Sequence, residues 1–172
     1  MYKKTYDREN KLINIRYENK SIPISEENSD YKAFLQAVED GAEIIDVPYT
    51  DDEILEFKKK DALLSVNASI DAQIALGFDY KGKMFRLSRD DQSNYGDALE
   101  KSKNGLFAEY GITEFDFTLV NGEYETVPVA EIKALTDAAF LFKATILKNG
   151  KDKKKAIKAC ITLAELDEIL NG

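Results

Sequence analysis

The stretch Gly77–Tyr95, GFDYKGKMFRLSRDDQSNY, predicts the central part of the fold. Apolar and aromatic residues flank a short break at Lys81–Lys83, which is typical of a β-hairpin. Ser88 stands three residues before Asp91, so we expect a helix that begins after Ser88, with Ser88 as its N-cap. A long helical segment precedes Gly77, which can adopt the left-handed conformation that follows a helix end. We therefore predict a helix-hairpin-helix unit around which the chain is organised.

Composition restricts the classes of function that the chain fits. Its 172 residues are 44% hydrophobic, which is enough for one domain, or for one domain with a small appendage. A net charge of −8 disfavours nucleic acid as a partner, because phosphates repel an acidic chain. The local basic run at Lys151–Lys155 is interpreted as a solvated turn and helix start.

The absence of histidine removes the usual general base, the commonest metal ligand and every Ser-His or Cys-His pair. Cys160 is the single cysteine and lies in an apolar helical context, so we interpret it as a core residue. We therefore expect no enzyme activity, no cofactor and no metal site, and a small enzyme or host-modulating protein stays as a third hypothesis, against which the missing histidine counts. No apolar run approaches the length of a membrane span, and the first ten residues have no signal-peptide core. We expect synthesis in the cytoplasm and no membrane partner.

The first 48 residues predict a small β-β-α module. Alternation in β-strands places Ile13, Ile15 and Tyr17 on one face. Pro23 keeps the residue before it, Ile22, in an extended conformation. A helix is predicted from Asp30 to Asp40, ending at Gly41. Its apolar face comprises Tyr31, Phe34, Leu35 and Val38.

Residues 42–49, AEIIDVPY, predict an extended linker, so the domain boundary is placed after residue 48. The second domain, 49–172, is predicted to be the helix-hairpin-helix domain with C-terminal helices. Thr50 and Glu53 form a predicted capping box that opens a helix reaching about Leu76.

The second half of the chain predicts another hairpin and further helices. Alternating residues around Asn121-Gly122 favour a hairpin over residues 113–129. A helix from Val129 to about Lys148 is expected to break at Asn149-Gly150, and a further helix follows from about residue 152 to 161. Thr162 and Glu165 predict a capping box for a last helix. The predicted fold class is α+β: helices with two β-hairpins and the N-terminal module.

Two of the predicted helices, the one that follows Thr50 and the one that begins at Val129, carry apolar stripes that fit either the core or an oligomer interface. Both interpretations stay open at this point. The candidate interface residues are Phe57, Leu63, Val66, Ile70, Ile74, Ile132, Leu135, Phe142 and Ile146.

Several polar or aromatic groups admit a functional interpretation beside a structural one. The acidic groups Asp51–Glu53, Asp90-Asp91 and Glu123 with Glu125 could bind a divalent cation, but helix capping explains the first two. Arg86 and Arg89 with their acidic neighbours are either a contact patch or surface ion pairs. Four tyrosines either bind a sugar or protein or line the core: Tyr80, Tyr95, Tyr110 and Tyr124.

The first block resembles a short module of bacteriophage tail-fibre and tail-fibre-assembly proteins. The resemblance rests on Ile22-Pro23, the acidic turn 25–30, Asn28-Ser29-Asp30-Tyr31, and the helix ended by Gly41. In that module the helix usually carries a tryptophan, where this chain has Ala37 or Val38.

From Asp52 onward the chain is similar to a phage-tail domain of unknown function. The matching features are Ile74–Phe78, Phe85–Ser88, the helix start Asp91–Tyr95, the second hairpin and Thr162–Leu166. The two resemblances imply a structural component of a bacteriophage virion, such as a tail-fibre, baseplate or adaptor-type protein. They fit equally an assembly chaperone that the particle does not retain. The implied partners are other tail or fibre proteins and further copies of the chain, with a trimer favoured, and the implied location is the virion tail.

Overall fold

The computed structural model describes residues 1–171 and divides them into two compact units. One unit comprises residues 1–61 together with the chain from residue 160 onward, and the other comprises residues 62–159. Helices and small separate sheets make up both units, so the predicted α+β class is confirmed. The predicted domain boundary after residue 48 does not coincide with this division, and it stays a prediction.

The N-terminal module contains a four-stranded sheet and one helix, which is more than the predicted β-β-α arrangement. Its sheet has the order β3-β2-β1-β4, with antiparallel pairs except for β1 and β4, which are parallel. The elements are β1 (Tyr2–Tyr6), β2 (Leu12–Tyr17), β3 (Lys20–Pro23), α1 (Ser29–Glu39) and β4 (Ile44–Ile45).

The segment predicted as a linker contributes a strand to this sheet. Ile44 and Ile45 pair with Tyr2 and Lys3 of β1. The prediction of a linker was wrong for these residues, because the unpaired edge of β1 offers them backbone partners that the sequence of the segment does not reveal.

A β-bulge changes which residues of β2 face the core. Thr5 pairs with Asn14, but the next residue, Tyr6, pairs with Leu12, so Ile13 has no partner on β1. Ile13 is 47% exposed, and Leu12 packs against the core in its place. The predicted face was therefore wrong at Ile13.

The core of the N-terminal module is small. It is formed by Ile15, Ile22 and Phe34, which are buried. Leu35 and Val38 were predicted on the buried face of α1, but they are 42% and 37% exposed. The helix therefore buries a narrower stripe than its apolar pattern predicts.

Helix α2 (Asp51–Ala75) begins at the predicted capping box. The Glu53 amide donates to Thr50 Oγ1 at 3.3 Å, and the Thr50 amide donates to Glu53 Oε2 at 2.8 Å. The helix ends just before Gly77, which has the left-handed φ of +78°. Both predicted ends of this helix are confirmed.

Both predicted hairpins form, and they meet at their edges. Their strands are β5 (Phe78–Tyr80) with β6 (Lys83–Phe85), and β7 (Glu114–Thr118) with β8 (Tyr124–Pro128). The Arg86 amide donates to the Thr118 carbonyl at 3.0 Å, and the Val120 amide donates to the Met84 carbonyl at 3.0 Å. The end of the first hairpin is thus fixed against the second.

The remaining helices lie between and after the hairpins. They are α3 (Arg89–Lys103), the single turn α4 (Leu106–Glu109), α5 (Ile132–Ala159) after a 3-10 turn (Val129–Glu131), and α6 (Leu163–Asn171). Thr162 Oγ1 accepts from the Glu165 amide at 3.2 Å, as the predicted cap for α6 requires.

The predicted helix break at Asn149-Gly150 was wrong, because α5 continues through it. Gly150 is buried against α2, where a Cβ would lie 2.7 Å from Ile70 Cγ1 and 3.9 Å from Val66 Cγ1. The glycine therefore allows close packing of two helices.

The core of the second unit joins both hairpins to α3 and α5. Phe78 and Phe85 stack with ring centroids 5.7 Å apart. The buried residues of this core are Phe78, Phe85, Leu87, Tyr95, Ala98, Phe107, Phe117, Val127, Ile132, Leu135 and Ala139. The helix-hairpin-helix unit predicted around Gly77–Tyr95 thus lies within this core.

Candidate functional site

The start of α3 is held by a polar cluster around the buried carboxylate of Asp91. This carboxylate accepts hydrogen bonds from Arg86 Nε at 2.8 Å, from Arg86 Nη2 at 3.0 Å and from the Ser88 amide at 2.9 Å. The Asp91 amide in turn donates to Ser88 Oγ at 3.3 Å, which completes the predicted capping box. The direction in which α3 leaves the first hairpin is therefore fixed.

The charges of this cluster are stable at neutral pH. Burial alone would raise the pKa of Asp91, but hydrogen bonds from Arg86 and Ser88 outweigh it and hold that pKa below its usual value. The Tyr95 hydroxyl donates to the Arg86 carbonyl at 2.8 Å, and burial raises the pKa of Tyr95, so the hydroxyl stays a neutral donor. Asp91 is thus buried, whereas its partner Arg86 reaches it from the surface with 46% of its side chain exposed. Arg89 and Asp90 are exposed as well.

A groove of about 220 Å³ lies between α3 and α5. Its walls are mostly apolar, and Tyr95 connects it to the polar cluster. The lining residues are Leu87, Gln92, Tyr95, Gly96, Thr136, Ala139, Phe140 and Lys143.

One charged group stands in this groove. The Lys143 ammonium donates to Gln92 Oε1, and Gln92 Nε2 donates to the Leu87 carbonyl at 3.0 Å. The groove thus combines mostly apolar walls with one ammonium group, whose partner in this bond is a neutral amide.

The outer face of α5 continues the apolar surface beyond the groove. Phe140, Leu141 and Leu147 are 70%, 63% and 45% exposed. Single exposed apolar residues are ordinary, but three within two turns of one helix next to an apolar groove indicate a contact surface. We call these three residues the α5 patch.

A family profile for a domain of unknown function, DUF4376, matches residues 58–170. The chain belongs to the DUF4376 family. No curated protein and no solved structure is significantly similar to the chain. The DUF4376 region includes α3 and α5, and therefore the whole groove and the α5 patch.

The nine candidate interface residues lie largely inside the fold. Those that are buried are Val66, Ile70, Ile132, Leu135 and Ile146, and those that are half-buried are Phe57, Leu63, Ile74 and Phe142. The chain's own core accounts for their apolar character, which is one of the two interpretations of the stripes. Their role in an oligomer stays a prediction.

The α5 patch was missed by sequence reasoning. The spacing of Phe140, Ala144 and Leu147 is helical, so a second apolar stripe is visible in the sequence beside the stripe that the core uses.

The acidic groups singled out in the sequence do not converge in the structure. Asp51–Glu53 lie exposed in the first turn of α2, Glu125 pairs with Lys83, and Glu123 accepts from Asn121 Nδ2 at 2.8 Å. Among residues 1–171, no group of three or more His, Cys, Asp or Glu side chains is placed to hold a metal ion. These acidic residues are therefore explained by helix capping and surface ion pairs.

The four tyrosines divide into two classes. Tyr95 is buried and Tyr80 packs half-buried against the core, as the structural interpretation expects. Tyr110 and Tyr124 are each 71% exposed, so they do not line the core as the structural interpretation expects.

A second cavity, of about 450 Å³, lies on the N-terminal module. Its basic side chains are Lys3, Lys4 and Arg16, and Lys4 shares the Asp46 carboxylate with the Tyr6 hydroxyl. Since Asp46 already neutralises Lys4, this cavity is the weaker candidate for a binding site. In the part of the chain that the structure describes, no helix is long and apolar enough to cross a membrane.

Proposed function

We propose that the chain is a structural component of a bacteriophage virion, of the tail-fibre, baseplate or adaptor type, that acts through protein–protein contacts. The observation that supports the protein–protein contacts of this proposal is the α5 patch beside the α3–α5 groove. Fully burying a Leu or Phe side chain contributes about 1.5–3 kcal/mol. Covering the three residues of the patch thus offsets a substantial part of the entropy lost on association.

The phage setting of this proposal comes from the two resemblances. The Ile22–Gly41 segment is similar to a tail-fibre module, and residues from Asp52 onward are similar to a phage-tail domain. The α5 patch belongs to the second of these segments.

Mass spectrometry of purified particles of the phage that encodes the chain tests the proposal. We expect peptides of the chain in the purified particles, at a constant ratio to a tail protein. Peptides found in the lysate bound to fibre protein, but missing from particles, would favour the assembly chaperone instead. Peptides found with neither would contradict both functions.

A matched pair of variants tests the surface. Leu141→Asp places a charge in the α5 patch, and Leu76→Asp places one at a leucine that is 67% exposed on another segment. We expect Leu141→Asp to lower the amount of the chain in particles at least tenfold, and Leu76→Asp to leave it unchanged. Equal incorporation of both variants would show that the contacts lie elsewhere.

A further inference from the structure

The cavity of the N-terminal module lies on the outer face of its four-stranded sheet. Ile15 is buried in the core of the module, and Tyr2 packs against that core on the inner face. Because side chains alternate along a strand, the next residues, Arg16 and Lys3, belong to the outer face. Both bases line the cavity, and both are exposed. The cavity therefore opens on the side of the sheet that faces away from the core.

Lys3 and Arg16 are direct neighbours across β1 and β2. They are cross-strand partners in the antiparallel register, which places their Cβ atoms about 4.5–5.5 Å apart. Like charges in this position destabilise a strand pair. Within residues 1–171 neither base forms an ion pair, since Asp46 neutralises only Lys4. A local arrangement that costs stability without compensation inside the fold is typical of a binding site.

The acidic residue of the lining does not cancel this charge. Glu53 Oε2 accepts from the Thr50 amide at 2.8 Å and from Thr50 Oγ1 at 3.1 Å, so this carboxylate caps α2. The three bases of the lining outnumber the two nearby acids, Glu53 and Asp46. The cavity thus has a net positive charge, although the whole chain is acidic.

One wall of the cavity is apolar and held in place. The Tyr49 amide donates to Asn10 Oδ1 at 2.7 Å, and Asn10 Nδ2 donates to the Tyr49 carbonyl at 2.6 Å. The Tyr49 ring also meets the Phe57 ring edge to face, with centroids 5.0 Å apart. A preformed apolar wall with a few polar groups, around about 450 Å³, is the usual form of a small-ligand site. The residues of this wall are Ile45, Val47, Pro48 and Tyr49.

We propose that this cavity binds a small organic oxyanion, a carboxylate or a phosphate on an apolar body. The planar guanidinium of Arg16 suits two parallel hydrogen bonds to such a group, and the Lys3 ammonium supplies a second positive charge. Thr5 lines the cavity on the same face and adds a hydroxyl donor. The apolar body lies against the wall at residues 45–49. This site precedes the DUF4376 segment and does not depend on the α5 patch.

A titration of the ¹⁵N-labelled full chain with phenyl phosphate, followed by amide chemical shifts in NMR, tests this proposal. We expect saturable shifts at residues 3–6, 16 and 45–49. Benzoate should shift the same amides, and the tighter of the two ligands shows whether the site prefers phosphate or carboxylate. Inorganic phosphate lacks the apolar body and phenol lacks the charge, so each should bind at least about tenfold more weakly than phenyl phosphate.

Arg16→Gln and Lys3→Gln should each raise the dissociation constant of phenyl phosphate about tenfold or more. Each should leave the melting temperature unchanged or slightly raised, because it removes a contact between like charges. Lys20→Gln is the matched control, since Lys20 is an exposed base of β3 that does not line the cavity, and it should bind like the wild type.

Three results would overturn the proposal. They are the absence of saturable shifts at the lining residues, binding that neither substitution weakens, and a loss of binding that is accompanied in both variants by a lower melting temperature. The last result would mean that the two bases stabilise the sheet. The titration does not involve phage particles, so its failure would leave the proposed virion function to its own test.

Discussion

Gly150 of α5 packs directly against Ile70 of α2, and a Cβ at the glycine would stand 2.7 Å from Ile70 Cγ1. We therefore expect Gly150→Ala to destabilise the chain, although alanine is the better helix former. Overpacking a core costs about 1–3 kcal/mol, which exceeds the roughly 0.8–1 kcal/mol that Ala contributes over Gly in a helix. Urea denaturation followed by circular dichroism should show a net loss of up to about 2 kcal/mol in the free energy of unfolding.

Gly96→Ala is the matched control, because Gly96 is also helical but has open space where its Cβ would be placed. It should increase the free energy of unfolding by about 0.5–1 kcal/mol. Adding Ile70→Val to Gly150→Ala should recover stability, since valine lacks the Cδ1 atom nearest to the new methyl group. A gain in stability from both glycine substitutions would contradict the close packing of the two helices.

Ile70 provides a second test, because it is 8% exposed on the face of α2 that α5 covers. Ile70→Asp removes apolar burial and places an unpaired charge in the core, which together cost more than about 4 kcal/mol. We expect loss of cooperative thermal unfolding. Leu64→Asp, at a leucine 60% exposed on the same helix, should shift the melting temperature only slightly. Unchanged melting of the Ile70→Asp protein would show that this face is not buried.

The helix starts could be predicted because each depends on a few neighbouring residues. Ser88, Thr50 and Thr162 cap α3, α2 and α6 with side chains that reach an amide three residues away. The break predicted at Gly150 and the face predicted for Ile13 were wrong for a different reason. Each is decided by a distant segment, Ile70 of α2 in one case and the bulged pairing with β1 in the other.

The candidate site was less predictable than the fold for a related reason. Helix α5 has one apolar stripe through Leu135 and another through Phe140. Periodicity detects both stripes, but it does not say which one the chain covers with its own elements. The structure covers Leu135 completely and leaves Phe140 70% exposed.

Alanine substitutions at Gly77 and Gly82 separate two effects of an added side chain, which are backbone strain and steric overlap with neighbouring atoms. Both have a left-handed φ, +78° and +79°. Alanine at either position should therefore lower the free energy of unfolding by a similar amount, about 1 kcal/mol, because of backbone strain. At Gly77 a Cβ would also meet the Phe85 carbonyl oxygen and Val120 Cγ2, the latter at 2.6 Å, whereas Gly82 is open. Gly77→Ala should therefore lower the free energy of unfolding by at least about 1 kcal/mol more than Gly82→Ala in urea titrations. Equal losses of unfolding free energy in the two variants would show that Gly77 has no packing role.

Asp91 makes the stability of α3 dependent on pH. Asp91→Asn removes the charged acceptor of Arg86 and Ser88, and at pH 7 it should cost about 1–3 kcal/mol. Asp90→Asn changes an exposed neighbour in the same helical turn and should cost only a few tenths of a kcal/mol. Urea denaturation of both variants beside the wild type measures the difference.

The direction of the pH effect follows from the lowered pKa of Asp91 in the folded chain. The unfolded chain binds this proton more tightly, so the stabilisation is fully present above the unfolded pKa of about 3.9 and is lost as pH falls through the lower folded pKa. The gap in unfolding free energy between wild type and Asp91→Asn should therefore be constant from pH 7 to about pH 5. It should then shrink below about pH 4. A gap that widens on acidification would mean that burial, rather than the hydrogen bonds from Arg86 and Ser88, sets the protonation of this carboxylate.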